Sequence, residues 1–130
     1  MLFVNWKGFY IFDNQWFVLR EASSEKHYHV MMTKEEVLDI LKASKPLLNE
    51  QFNIAEVGLF GSYSTGENNP ESDIDILYIL EDGSKLGIQD MYELEEFIKE
   101  VLQVDKIDLV NKKYLNPIIE LEIEDSLVYV

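Results

Sequence analysis

The chain has no cysteine, a single arginine at Arg20, only three prolines, and no apolar run approaching the roughly 20 residues that cross a membrane as a helix. Without cysteine there are no disulfides, thiolate metal sites or cysteine nucleophiles, and nothing in the composition speaks of secretion. Basic residues are scarce: 11 Lys plus Arg face 25 Asp plus Glu over 130 residues, a formal net charge of −14. A surface this negative repels phosphate backbones, so direct nucleic-acid binding is not expected unless metal ions mediate it, and basic protein partners are favoured. At 47% apolar residues the chain can build one domain with a real core and is no disordered acidic tail. Its first 12 residues are apolar but are interrupted by Asn5, Lys7 and Gly8, with no small-residue cleavage site following. The expectation is a cytoplasmic protein without a signal peptide or membrane association.

Charge divides the chain. In residues 1–30, Lys7, Arg20 and Lys26 balance Asp13, Glu21 and Glu25, so the whole −14 falls in residues 31–130. The same leader carries eight of the sixteen aromatic residues. We therefore divide the chain into an aromatic-rich N-terminal extension, residues 1–30, and a domain, residues 31–130. Residues 8–12 and 16–20 are β-prone runs around Asp13-Asn14-Gln15, which reads as a hairpin. A two-stranded ribbon is marginal by itself, so it must pack on the domain, a partner or a second copy, the last giving a homodimer. Equally, the natural start could lie at Met31 or Met32. His27 and His29 flank Tyr28 in this leader and could bind metal, although two histidines there are more often incidental.

From Thr33 the pattern is helical, with Thr33 and Glu36 spaced as a capping box and Pro46 expected to bend the helix or begin a new turn. Residues 54–60 form a strand run ending at Gly61-Ser62, and residues 74–80 form a second, almost wholly apolar strand suited to the middle of a sheet. Residues 88–102 have amphipathic helical spacing with Met91, Leu94, Ile98, Val101 and Leu102 inward. Residues 106–110 read as a third strand, Pro117 to Glu124 as a helix, and residues 127–130 as a closing strand. The alternation predicts an α/β fold, with short last connections that permit antiparallel pairing.

The chemistry concentrates in Leu59-Phe60-Gly61-Ser62-Tyr63-Ser64-Thr65-Gly66 and Ser72-Asp73-Ile74-Asp75. Gly61 permits a sharp turn and close approach of a ligand, the following helix start offers unpaired amides to phosphate, and Ser62 and Ser64 add hydroxyls. Asp73 and Asp75, two apart on a strand, project to one face, while Ile74 and Ile76 point into the core. Like charges side by side repel, so the pair either lies at a solvated strand start or flanks a divalent cation; the upstream Gly-Ser turn favours the cation. Asp108, between Ile107 and Leu109, supplies a third carboxylate if its strand neighbours residues 74–80. Tyr63 could stack near a base or simply pack, and the acidic helix face of Asp90, Glu93, Glu96 and Glu100 is either solvated or meets a basic partner.

Gly61-Ser62, Ser64, Gly66, Ser72-Asp73-Ile74-Asp75 and Asp108 together resemble the signature of the DNA polymerase beta nucleotidyltransferase superfamily. Size and layout resemble its smallest branch, the minimal, MntA-like nucleotidyltransferases that pair as antitoxins with HEPN-domain ribonuclease toxins. The resemblance covers about residues 33–130 and implies a nucleotidyltransferase fold, a mixed central sheet flanked by helices. It implies that Gly61, Ser62 and Ser64 cradle a triphosphate with Asp73 and Asp75. It also implies that Asp73, Asp75 and Asp108 form the catalytic, metal-binding triad for two magnesium ions, with manganese able to replace them. The implied reaction moves a nucleoside monophosphate, AMP from ATP, to a tyrosine hydroxyl of the toxin. One departure is Thr65, where many relatives carry a basic residue; triphosphate charge then falls to metal and to lysines such as Lys85, Lys112 or Lys113. That gap leaves an alternative, a catalytically weak antitoxin that neutralises its toxin by contact.

Overall fold

The structure is a computed structural model that describes residues 32–130 and, ahead of them, the backbone of three short strands. These are β1 (Val4–Asn5), β2 (Phe9–Phe12) and β3 (Gln15–Val18), paired antiparallel in the order β1-β2-β3. The remainder of the expected N-terminal extension, including its loop, its packing, the homodimer expected through it, and His27 and His29, lies outside the described residues. Among the described residues no helix is long and apolar enough to cross a membrane.

Helix α1 (Lys34–Phe52) opens with the capping box its spacing predicts. The Glu36 amide donates to Thr33 Oγ1 at 3.1 Å, and the Thr33 amide donates to Glu36 Oε1 at 2.9 Å. The bend expected at Pro46 does not divide this helix, which runs through the proline unbroken. Pro46 and Lys42 both lie on the exposed side, where water can take the carbonyl that the proline leaves without a donor. On the opposite side Val37, Leu41, Leu47, Leu48 and Phe52 are buried, which outweighs one lost hydrogen bond. Asn53 ends the helix in the left-handed region, φ 57°, its amide donating to the Asn49 carbonyl at 2.9 Å, and the chain turns straight into β4 (Ile54–Phe60).

Next come α2 (Ser62–Thr65), β5 (Ile74–Leu80), α3 (Ile88–Leu102), β6 (Ile107–Asn111), a 3-10 turn at Lys112–Tyr114, α4 (Pro117–Glu124) and β7 (Val128–Tyr129). The last four strands form one mixed sheet in the order β6-β5-β4-β7. Strand β5 runs antiparallel to β4 and parallel to β6, and β7 returns antiparallel to β4. The expected α/β architecture, a mixed sheet flanked by helices, is what the chain adopts.

Alternation along β5 decides which face does what. Ile74, Ile76 and Tyr78 enter the core with Val57 and Leu59 of β4 and the buried faces of α1 and α3, while Asp75 and Leu77 look the other way. The two helices meet where Phe52 and Phe97 place their ring centroids 6.2 Å apart at an interplanar angle of 50°. Phe97 is 1% exposed, whereas Met91, expected inward, is 43% exposed. Met91 belongs to the first turn of α3, ahead of the buried stretch that begins at Leu94. Helix α4 starts and stops where the sequence indicates, with Pro117 in its first turn, but buries none of its residues.

Candidate active site

Three elements converge at one end of the sheet: the end of β4, the start of β5 and the start of β6. Register makes this explicit. Phe60, the last residue of β4, pairs with Asp75, and Asp75 pairs on its other side with Asp108. Asp73 precedes β5, two residues from Asp75 and hence on the same face. Before it, the Glu71 amide donates to Asn69 Oδ1 at 2.8 Å and the Ser72 amide to the Asn69 carbonyl at 2.9 Å, folding the short approach to the strand.

Gly61 turns the chain out of the sheet with φ 75° and ψ −156°, a region essentially closed to residues with a side chain. Space also demands glycine: a Cβ there would sit 2.1 Å from Asp75 Oδ2 and 2.9 Å from Asp75 Cγ. The bare backbone of the turn and the Asp75 carboxylate are therefore in direct contact. Helix α2 follows for one turn and ends at Gly66, φ 85°, whose amide donates to the Ser62 carbonyl at 2.9 Å.

Asp75 is half-buried, while Asp73 and Asp108 are exposed. Burial, then the charges of Asp108 and Asp73, and a side-chain hydrogen bond with Asp108 push the Asp75 carboxyl up to about 6. Each of the other two acids thus acts on Asp75. Among the described residues no group of three or more His, Cys, Asp or Glu side chains closes into a ready-made metal cage. The arrangement is an open one, with Asp75 between two carboxylates. Oxygen donors alone, with the Asp75 carboxyl holding its proton more readily than an ordinary one, are the donor chemistry that a hard divalent cation takes.

Ser62 and Ser64 separate in role. The hydroxyl of Ser62 has no partner among the described residues, and the amides of Ser62 and Tyr63 stand at a helix start where no intrahelical acceptor reaches them. Ser64 is 6% exposed and its hydroxyl donates to the carbonyl of Ser126, so it ties the turn to the chain beyond α4. The Gly61 amide donates to the Ser126 hydroxyl at 3.2 Å. Tyr63 is 6% exposed and belongs to the core cluster, which settles its place in favour of packing.

The lysines named for the missing basic residue do not gather here. Lys112 follows β6 and pairs with Glu120 at 2.9 Å, and Lys113 lies over the Tyr114 ring at 5.7 Å from its centroid. Four residues beyond Asp108 on an extended chain is about 13 Å, so both stand toward the other end of the sheet. Lys85 follows the far end of β5 and lies there too. Sequence reasoning passed over Lys106. Asp73 and Lys106 each lie one residue before the paired Ile74 and Ile107, so Lys106 adjoins Asp73 at the carboxylate end. It is exposed and has no ion-pair partner among the described residues. Its two-residue spacing from Asp108 was the available signal; Ser126, distant in sequence, gave none.

The nucleotidyltransferase domain family matches residues 35–130. The protein adenylyltransferase MntA of Thermococcus cleftensis is 40% identical over 100 residues, 77% of this chain and 98% of the relative. A solved structure provisionally described as a minimal nucleotidyltransferase superposes with a TM-score of 0.63 at 24% identity, covering 77% of this chain and 98% of its own. Two toxin–antitoxin structures also superpose, each with a TM-score of 0.53 and over 75% of this chain. One contains AMP-PNP and matches at 22% identity over 72% of its chain. The other holds a tri-AMPylated HEPN toxin of Shewanella oneidensis with its MNT antitoxin, at 20% identity over 71% of its chain. At those identities the structural likeness is one of fold. The family match and the Thermococcus relative reach further, and with the glycine corner and acids in the expected arrangement they show that the chain belongs to the nucleotidyltransferase family, in its minimal, MntA-like branch.

Proposed function

We propose that the chain is a protein adenylyltransferase that moves AMP from ATP to a tyrosine hydroxyl of a HEPN-domain ribonuclease toxin and so acts as its antitoxin. The observation that carries this reading is the contact of Asp75 with Gly61, with Asp108 paired in register beside it. It sets the glycine turn and the carboxylate oxygens side by side.

Ser62, through its free hydroxyl and amide, and the Tyr63 amide take phosphate oxygens at the glycine corner. Asp73, Asp75 and Asp108 would hold magnesium, or manganese in its place; when bound, such ions supply charge that stabilises both the attacking and leaving oxygens. Asp108, exposed on the edge strand, accepts the proton of the incoming hydroxyl. That oxygen forms a bond to the α-phosphorus, the bond to the bridging oxygen of the β-phosphate breaks, and pyrophosphate leaves. Lys106 offsets the charge of the departing pyrophosphate, the task that falls elsewhere when Thr65 replaces a basic residue. In this reading the acceptor is a protein side chain, which the open carboxylate end leaves room to approach. The names and contents of the MntA relative and the two toxin–antitoxin structures support the same acceptor.

The test is incubation of the purified protein with α-labelled ATP, magnesium and a HEPN-domain toxin from the same organism. Label on the toxin that disappears with Asp73→Asn is the expected result. Inhibition of the toxin without label, unchanged in that variant, would put contact neutralisation in its place.

A further inference from the structure

Ser126 lies outside every motif that marks the site, yet it touches the phosphate-binding turn at two points. Strand β7 pairs Tyr129 with Gly58 and Val128 with Leu59. Continuing that antiparallel register two residues brings Ser126 opposite Gly61, where the chain leaves the sheet and ladder bonds stop. There a side chain takes over from the backbone. The Gly61 amide donates to Ser126 Oγ at 3.2 Å, and the Ser64 hydroxyl donates to the Ser126 carbonyl. Ser126 Oγ in turn donates to the Ile123 carbonyl at 3.1 Å, in the last turn of α4, which fixes its own rotamer.

We propose that Ser126 is a positioning residue for the nucleotide: it grips both ends of the Gly61–Ser64 turn and holds that turn at the height where its free donors meet the triphosphate. The inference rests on the nucleotidyltransferase reading of the site. Gly61 needs such a hold because its conformation is permitted by the absence of a side chain but not enforced by one. With its amide anchored to Ser126, Gly61 cannot itself donate to phosphate. The donors left to the nucleotide are those of Ser62 and Tyr63, whose direction is set by where Gly61 is pinned. A displacement of the turn would also carry it off Asp75, against which it is packed without intervening atoms.

Ser126→Ala removes the acceptor for the Gly61 amide while leaving the backbone carbonyl that serves Ser64. The measurement is the dissociation constant of magnesium-ATP by titration calorimetry, alongside the melting temperature of the nucleotide-free protein. The expected result is ATP binding weakened about threefold to tenfold, the worth of one neutral hydrogen bond. Ser126→Thr, which retains the hydroxyl, restores binding to within twofold of the parent. Ser64→Ala, which deletes the second tie from the other side, weakens ATP in the same direction and secures the test if alanine at position 126 lowers folding yield. A lowered melting temperature with ATP binding unchanged in both alanine variants would reduce Ser126 to a structural tie and overturn the inference. A parent protein that binds no magnesium-ATP would overturn the functional reading with it; a parent that binds while both variants bind equally well overturns this inference alone.

Discussion

Gly61 shows how little latitude the site leaves a single residue. Both its positive φ and the 2.1 Å separation between an added Cβ and Asp75 Oδ2 act against any substitution. Gly61→Ala is expected to cost about 2–3 kcal/mol of stability by chemical denaturation. It should also abolish magnesium-dependent ATP binding, since the methyl group displaces the carboxylate it meets. Asp75 makes the opposite bargain. Its folded carboxyl, pushed up to about 6 from an ordinary value of 3.8, holds its proton more tightly than in the unfolded chain. Between those values the unfolded chain ionises first, so the metal-free protein loses stability as pH rises from about 4 to about 6 and levels off above. Asp75→Asn should therefore raise the melting temperature of the metal-free protein at pH 7 while eliminating transfer, a trade of stability for function. If magnesium is held there as proposed, it competes with that proton, and the melting-temperature gain it confers should be larger at pH 7 than at pH 5. At the neighbouring strand, Lys106→Ala should raise the KM for ATP by about threefold to tenfold with a smaller change in kcat, the loss expected for one charge-assisted contact to phosphate.

The elements differ in how openly the sequence announces them. The capping box at Thr33, the apolar run of β5 and the periodicity of α3 are local patterns, and the structure places them with the expected bounds. Asp73, Asp75 and Gly61 were legible for the same reason: alternation on one strand and a turn at the end of another need no knowledge of the rest. Asp108 depended on one long-range fact, that β6 pairs with β5, and the parallel register supplies it. Other features could not be read locally. Pro46 reads as a bend or a new turn, and that the helix continues through it depends on its apolar side being held by the core. Ser126 was invisible because its partners lie 65 and 62 positions away, brought together only by β7 returning to β4. The misplaced lysines share that cause: Lys112 and Lys113 are near Asp108 in sequence, but an extended strand carries them to the other end of the sheet. The element-scale consequence is that β7 is part of the candidate site's scaffold. Gly58→Val, whose side chain would meet Leu127 Cδ1 at 2.8 Å and Tyr129 Cδ1 at 3.2 Å, should push β7 off β4. It is expected to weaken magnesium-ATP binding although residue 58 lies three positions from the turn, a result that calorimetry can read directly.

At the scale of the molecule, the sheet serves two purposes divided by face. One face is covered by α1 and α3 and holds the core; the other carries the acids at the end where β4, β5 and β6 meet. Under the proposed function, a chain with a formal charge of −14 would draw divalent cations to that end before ATP and steer a basic partner surface toward the domain. Its association with a toxin should accordingly slow as ionic strength rises from 50 to 300 mM, read by stopped-flow mixing. The measurement that goes furthest to the centre of the account is manganese binding in the presence of ATP, followed by electron paramagnetic resonance on the parent chain and on Asp75→Asn and Asp108→Asn. Ordered manganese in the parent, with affinity lowered at least tenfold in each variant, is the predicted outcome. Manganese held equally well by all three proteins would contradict it, because the carboxylates that the fold gathers beside Gly61 would then have no common ligand.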